Sequence, residues 1–160
     1  MTKNDRPASA GNTTDSLESV LLGTDAASLS AFYRREKARL ADSDRPFAAF
    51  MRRTVAEKGL TQQAVFLAAD IPEGYGYKLI SQEKHTSQRD VILRLCLGGR
   101  FSLTETQKAL RLYGFSPLYA RIPRDAALIV AFNRAVYEPA DVDALLAAYG
   151  FSPLYACREP

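Results

Sequence analysis

Apolar residues in this chain recur at the three- and four-residue spacing of a buried helix face, so the sequence predicts helices throughout. Ser16 to Leu22 predicts a short helix stopped by Gly23. In the next helix Leu29, Phe32, Tyr33 and Leu40 fall near one face, with Arg34, Arg35, Lys37 and Arg39 outward. Asp44 to Gly59 predicts a third: Asp44 is placed to cap it, Pro46 suits its first turn and Gly59 stops it. Phe47, Phe50, Met51 and Val55 form its inward stripe, and Arg52, Arg53 and Lys58 its solvated side. Thr61 opens a short helix ending near Ala69. Asp70-Ile71 ahead of Pro72 reads as a tight turn, because a residue preceding proline avoids the helical region. Pro72 to Ser81 predicts another short helix, softened by Gly74 and Gly76 at about 1 kcal/mol each relative to alanine.

Two helical pairs complete the chain, and they are related. Arg89–Arg121 and Arg124–Arg158 both run Arg-Asp, an apolar helix, a break, an amphipathic helix, and then the same octapeptide, Tyr-Gly-Phe-Ser-Pro-Leu-Tyr-Ala. That identity marks an internal duplication of a helical hairpin. Two copies are too few for a solenoid and predict a bundle extended by one unit. Gly114 and Gly150 are suited to the left-handed conformation that closes a helix, and Ser116-Pro117 and Ser152-Pro153 to the turn that follows. Phe115, Leu118 and Tyr119, with their counterparts in the second copy, are expected to pack back on the bundle as a structural clamp. A peptide-binding role for the second copy is the lesser alternative.

A chain of 160 residues suits one domain with an appendage. Its 47% hydrophobic and 24% charged content excludes wholesale disorder, and 9 Gly, 8 Pro and 2 Cys exclude collagen-like and disulfide-dense folds. Residues 1–15 are small, polar and turn-forming, and read as a disordered tail. Residues 16–43 form a helical extension, 44–121 the main domain and 122–160 the repeated hairpin. The longest apolar run, Ala126 to Phe132, is too short to span a bilayer, and no secretory signal is seen, so the expected location is the cytoplasm, without a membrane partner. The net charge of +3 permits an anionic partner without demanding one. Residues 31–60 hold a net +4, whereas residues 61–89 balance to zero.

Catalytic and metal chemistry find little footing. His85 is the only histidine, and Cys96 and Cys157 lack the spacing of a zinc site. Cys96 reads as a small buried hydrophobe within an apolar helix. Phosphate loops of the GxxxxGK[ST] or GxGxxG type and the GxSxG elbow are missing from the sequence. Asp141 and Asp143 lie near a helix start, where solvated acids favour the dipole. The expectation is a non-enzyme with no cofactor and no metal.

The informative stretch is Leu60 to Arg89: two short helices around a tight turn within an all-helical domain, the layout of a helix-turn-helix. Leu60-Thr61-Gln62 at the first helix, Ile71 in the turn, then Tyr75, Leu79 and the Ser87-to-Asp90 start of the next helix resemble the lambda-repressor-like, Cro/XRE-type family. More narrowly, the chain resembles a bacterial group with a Tyr-Gly-Tyr recognition helix and a Tyr-Gly-x-Ser-Pro-Leu-Tyr hairpin. That likeness runs from about Leu17 to the end. It implies an all-α fold: a lambda-repressor-like helix-turn-helix bundle over 44–121, with the N-terminal extension and the duplicated C-terminal hairpin attached.

The resemblance implies a transcriptional regulator binding double-stranded DNA. Gln62 would bond a backbone phosphate. Pro72, Glu73 and Gly74 would face base edges, with Lys78 facing the groove one turn later. Lys84, His85 and Arg89 would flank it and meet phosphates. Tyr75 is expected in the core; Tyr77 is open between an exposed aromatic contact and partial burial. Phe66 stands where such repressors keep alanine, and a ring there is expected to widen or rotate the helix pair. Asp70 takes the place of the usual turn glycine. The alternative is a protein-interaction adaptor on the same scaffold, without sequence-specific DNA reading, its extra hairpin serving a partner or a homodimer.

Overall fold

A computed structural model describes residues 14–36 and 45–155, and every regular element among them is a helix. None of these helices is long and apolar enough to cross a membrane. The chain divides into two units, residues 1–43 and 44–160.

In the first unit, α1 (Thr14–Leu22) is followed by a single 3-10 turn (Ala26–Ser28) and α2 (Leu29–Glu36). Helix α1 thus begins inside the segment expected to be a tail, of which residues 1–13 lie outside the described residues. The turn is capped by Asp25, whose carboxylate accepts from the Ser28 amide at 2.8 Å. Phe32 is buried, but Tyr33 is exposed, because adjacent helical residues point about 100° apart and only one of the two faces inward. Lys37, Arg39 and Leu40 lie outside the described residues.

The second unit holds α3 (Pro46–Glu57), α4 (Gln62–Ala68), α5 (Glu73–Ile80), α6 (Arg89–Gly98), α7 (Leu103–Tyr113), α8 (Pro123–Asn133) and α9 (Pro139–Ala148). Arg45, not Asp44, precedes α3: Pro46 takes the first helical position with its φ already set. Asp44 lies outside the described residues. Thr61 caps α4, its hydroxyl accepting from the Ala64 amide at 3.1 Å. One core runs through all seven helices, from Phe47, Met51 and Val65 through Ile92, Leu95 and Leu110 to Leu128, Val142 and Leu154. The repeated hairpin belongs to the same unit as the helices before it.

All of these helices but α5 share one way of ending. The residue after the last turn turns left-handed, and the next, apolar residue sends its amide back five positions. Leu60 bonds Val55, Ile71 bonds Phe66, Phe101 bonds Cys96, Phe115 bonds Leu110, Val136 bonds Ala131 and Phe151 bonds Leu146, at 2.8 to 3.1 Å. Each closure satisfies an orphan carbonyl and directs an apolar side chain back to the core. Asp70, Gln82, Arg100 and Ala135 hold left-handed positions without being glycine. The adjacent Gly98 serves another end: a Cβ there would lie 2.7 Å from the Val65 carbonyl, so its bareness lets α6 press against α4.

The duplication is visible in three dimensions. Arg100 and Ala135 are equivalent closures, as are Gly114 and Gly150. Gln107 and Asp143 occupy equivalent positions and pin the octapeptide that follows. Gln107 accepts from the Leu118 amide at 2.7 Å and donates to its carbonyl at 2.8 Å. Asp143 accepts from the Leu154 amide at 2.6 Å and the Tyr155 amide at 3.3 Å, so it is a loop cap and not the solvated acid expected. The second copy carries an additional residue in its break, Tyr137. Its hydroxyl donates to the Phe101 carbonyl at 3.3 Å and Arg100 lies over its ring, binding one copy to the other.

The two Arg-Asp dipeptides cross. Arg89 of the first pairs with Asp125 of the second through both carboxylate oxygens, and Arg124 of the second pairs with Asp90 of the first at 2.9 and 3.0 Å. Asp125 is 1% exposed and also accepts from the Tyr119 amide at 3.0 Å, whereas the Asp90 side chain is 37% exposed. Removing one partner of a buried pair leaves an uncompensated charge, while an exposed pair contributes little. Asp125→Ala is therefore expected to lower the unfolding free energy by about 3–5 kcal/mol. Asp90→Ala is expected to lower it by less than about 1 kcal/mol. Urea denaturation of the two variants measures the difference.

Candidate nucleic-acid interface

The turn between α4 and α5 is built from both sides. Ala69 closes α4, Asp70 takes φ +54°, and the buried Ile71 locks the turn into the core. The carbonyls left over at the end of α4 are met from α6. Arg94 donates from Nε to the Ala69 carbonyl at 2.9 Å and from its terminal nitrogen to that of Asp70. Pro72, at φ −55°, then starts α5 without a side-chain cap. Across the turn the Gln63 amide donates to the Glu73 carboxylate at 2.9 Å, which brings the first turns of α4 and α5 to one surface.

Phe66 lies between α4 and α5. It is buried against Gly76, where a Cβ would lie 2.5 Å from the ring, and Tyr77 meets the same ring edge-on at 4.9 Å between centroids. The glycine that weakens α5 as a helix is the one that makes room for the aromatic. Gly74, by contrast, has open space around it. The inward line of α5 runs through Gly76, Leu79 and Ile80. Tyr75 lies off that line and is 38% exposed, correcting the expectation that it is core. Tyr77 is exposed as well, resting on Phe66.

The expected contact residues are distributed unevenly. Pro72, Glu73, Gly74, Tyr77 and Lys78 are exposed on α5, and Gln62 is half-buried in the first turn of α4. Lys84 is exposed just beyond α5, its amide bonded to the Lys78 carbonyl at 3.0 Å. Arg45, distant in sequence, donates to the Ser81 carbonyl at 3.3 Å and adds a third cation to this end of the helix. Acid therefore marks the start of α5, with Glu73, and its end is net basic, with Arg45, Lys78 and Lys84 beside the exposed Glu83. His85 is exposed but stacked on Tyr113 at 4.6 Å. The Tyr113 hydroxyl accepts from the Thr86 amide at 2.7 Å, and burial pushes its phenol up.

Arg89 departs from the expected set. Its guanidinium is held by Asp125 and lies 3.5 Å from the Ser116 carbonyl, so it braces the repeat and is not offered to a polyanion. The residues missed at the sequence level are Gln63, Arg45 and Arg94. Polar residues at two successive helix starts are a signal for the Gln63–Glu73 bond; nothing local announces Arg45 or Arg94.

Among the described residues no group of His, Cys, Asp and Glu side chains is placed to hold a metal ion. Cys96 is fully buried, and desolvation pushes its thiol up to about 12. Cys157 lies outside the described residues. No family model, curated protein or solved structure matches the chain.

The close fit of Phe66 on Gly76 gives a direct check on the geometry of this surface. Gly76→Ala forces the ring aside and is expected to destabilise the protein by about 1–3 kcal/mol, despite the better helix propensity of alanine. In a Phe66→Leu background the same substitution is expected to cost less. A double-mutant cycle by urea unfolding measures that coupling.

Proposed function

We propose that this protein is a DNA-binding transcriptional regulator of the lambda-repressor-like helix-turn-helix type, with α5 entering the major groove and α4 crossing the backbone. The observation that carries the reading is the outer face of α5: Glu73, Gly74, Tyr77 and Lys78 are all exposed beside a basic end made by Arg45 and Lys84. The uncapped first turn of α5 leaves N–H groups free, which favours a phosphate nearby. Gly74, with no atoms crowding it, permits close approach of the helix to a base edge. The Glu73 oxygen not bonded to Gln63 suits the amino group of cytosine, and the Tyr77 ring suits a thymine methyl. Gln62 and Lys84 would meet phosphates, as would Arg45. Lys78 would reach into the groove. His85 shapes the edge of this surface through its stack on Tyr113, and Arg89 stays with Asp125.

The test is retention of genomic DNA fragments at low salt, followed by a salt titration on the fragment selected. Affinity is expected to fall steeply with salt as counterions are released. Lys78→Ala is expected to weaken the selected site by about tenfold or more while sparing unrelated DNA. Lys84→Glu is expected to weaken all DNA and to flatten the salt dependence. Arg89→Ala is expected to lower stability and leave that dependence unchanged. The acid at the start of α5 and the neutral balance of residues 61–89 favour the adaptor as the second reading. Failure to retain any fragment, with a protein contact abolished by Tyr77→Ala, would establish that one instead.

A further inference from the structure

The duplication provides an internal template for a surface that is otherwise bare. On the outside of α8 and α9 lies an apolar groove of about 310 Å³ lined by Ala126, Ala127, Val130, Leu145, Tyr149 and Phe151. Their counterparts in the first copy are Val91, Ile92, Leu95, Ala109, Tyr113 and Phe115, of which all but Phe115 are buried. The same octapeptide tyrosine is 4% exposed as Tyr113 and 69% exposed as Tyr149.

In the first copy α4 packs on α6, and His85 and α3 cover the α7 side that carries Tyr113. Helix α3 lays Phe47 edge-on against Tyr113 at 4.9 Å. About three turns later its end is tied down by Lys58, whose ammonium lies 2.8 Å from the Glu105 carboxylate of α7. The second copy retains both docking points. Tyr149 stands in place of Tyr113, and Asp141, exposed in the first turn of α9, stands in place of Glu105. Alanines at 126 and 127 replace Val91 and Ile92, so this copy has more room for large incoming side chains.

We propose that the α8–α9 face is a docking groove for an amphipathic helix of a partner protein, one bearing an aromatic anchor near its start and a lysine or arginine about three turns on. The aromatic seats beside Tyr149 and Val130, and the cation meets Asp141. The charge placement and the anchor position are both those of α3 on the first copy. The protein's own α3 is buried in its own core and is not available to a second molecule.

The probe is a fluorescent synthetic peptide with the sequence of residues 45–60 of this chain, titrated with the full-length protein and followed by anisotropy. Saturable binding is expected. Val130→Asp, at a half-exposed position that the fold tolerates, is expected to weaken it by about tenfold or more. Asp141→Lys is expected to weaken it about threefold or more, and a peptide carrying Lys58→Glu to recover the loss. Urea unfolding of both protein variants separates a lost contact from a lost fold. Absence of saturable binding overturns the proposal, as does binding that both protein variants leave unchanged. A peptide-free dimer in sedimentation that Val130→Asp splits overturns it in favour of a second copy as occupant. The assay contains no DNA, so its outcome is independent of the reading of α5.

Discussion

A carboxylate removed from water fixes how the two halves of the duplication meet. Asp125 is buried, and burial of an unpaired charge is too unfavourable to survive in a marginally stable fold. Its partners are therefore dictated: the Arg89 guanidinium on one side and the Tyr119 amide on the other. Arg89 begins α6 and Asp125 sits in the first turn of α8, so satisfying this one group aligns two helix starts and the octapeptide between them. The same requirement commits the Arg89 guanidinium to Asp125. The reciprocal pair, Arg124 with Asp90, is more exposed and adds register more than stability.

The turn that presents α5 depends on the duplication as well. Arg94 closes the end of α4 and also lies over the ring of Tyr155, 5.4 Å from its centroid, in the second octapeptide. The second octapeptide thus reaches the arginine that holds the α4–α5 corner. Gly98 presses α6 on α4 from the same side, and Phe66 presses α4 on α5 across Gly76. Of these contacts, those of Arg94 and Gly98 come from outside the corner itself.

Much of this organisation was legible in the sequence. Helix spacing, Thr61 as a helix start, the turn before Pro72 and the repeated octapeptide all report local physics, and local physics survives in the fold. The losses came where a distant neighbour decides. Tyr75 turns outward because Gly76, Leu79 and Ile80 take the inward line once Phe66 fills the space beside them. The partner of Arg89 is not legible locally, because Asp125 is remote in sequence. The octapeptides, identical in sequence, are expected to pack alike, yet Tyr119 is exposed and Tyr155 buried, since Arg94 lies under the second and its counterpart in the next copy is Ile129. Identity of sequence specifies the closure of the helix, and the surroundings specify which ring is covered.

Tyr137 gives the near-repeat a direction. Two hairpins end in the same eight residues, and each carries an aromatic and a carboxylate of the kind that α3 meets on the first. The inserted tyrosine, anchored on the Phe101 carbonyl and beneath Arg100, ties the second hairpin to the end of the first. The ribosome reinforces that order by releasing α6 and α7 before α8 and α9 exist. A swapped arrangement is disfavoured by that sequence of events.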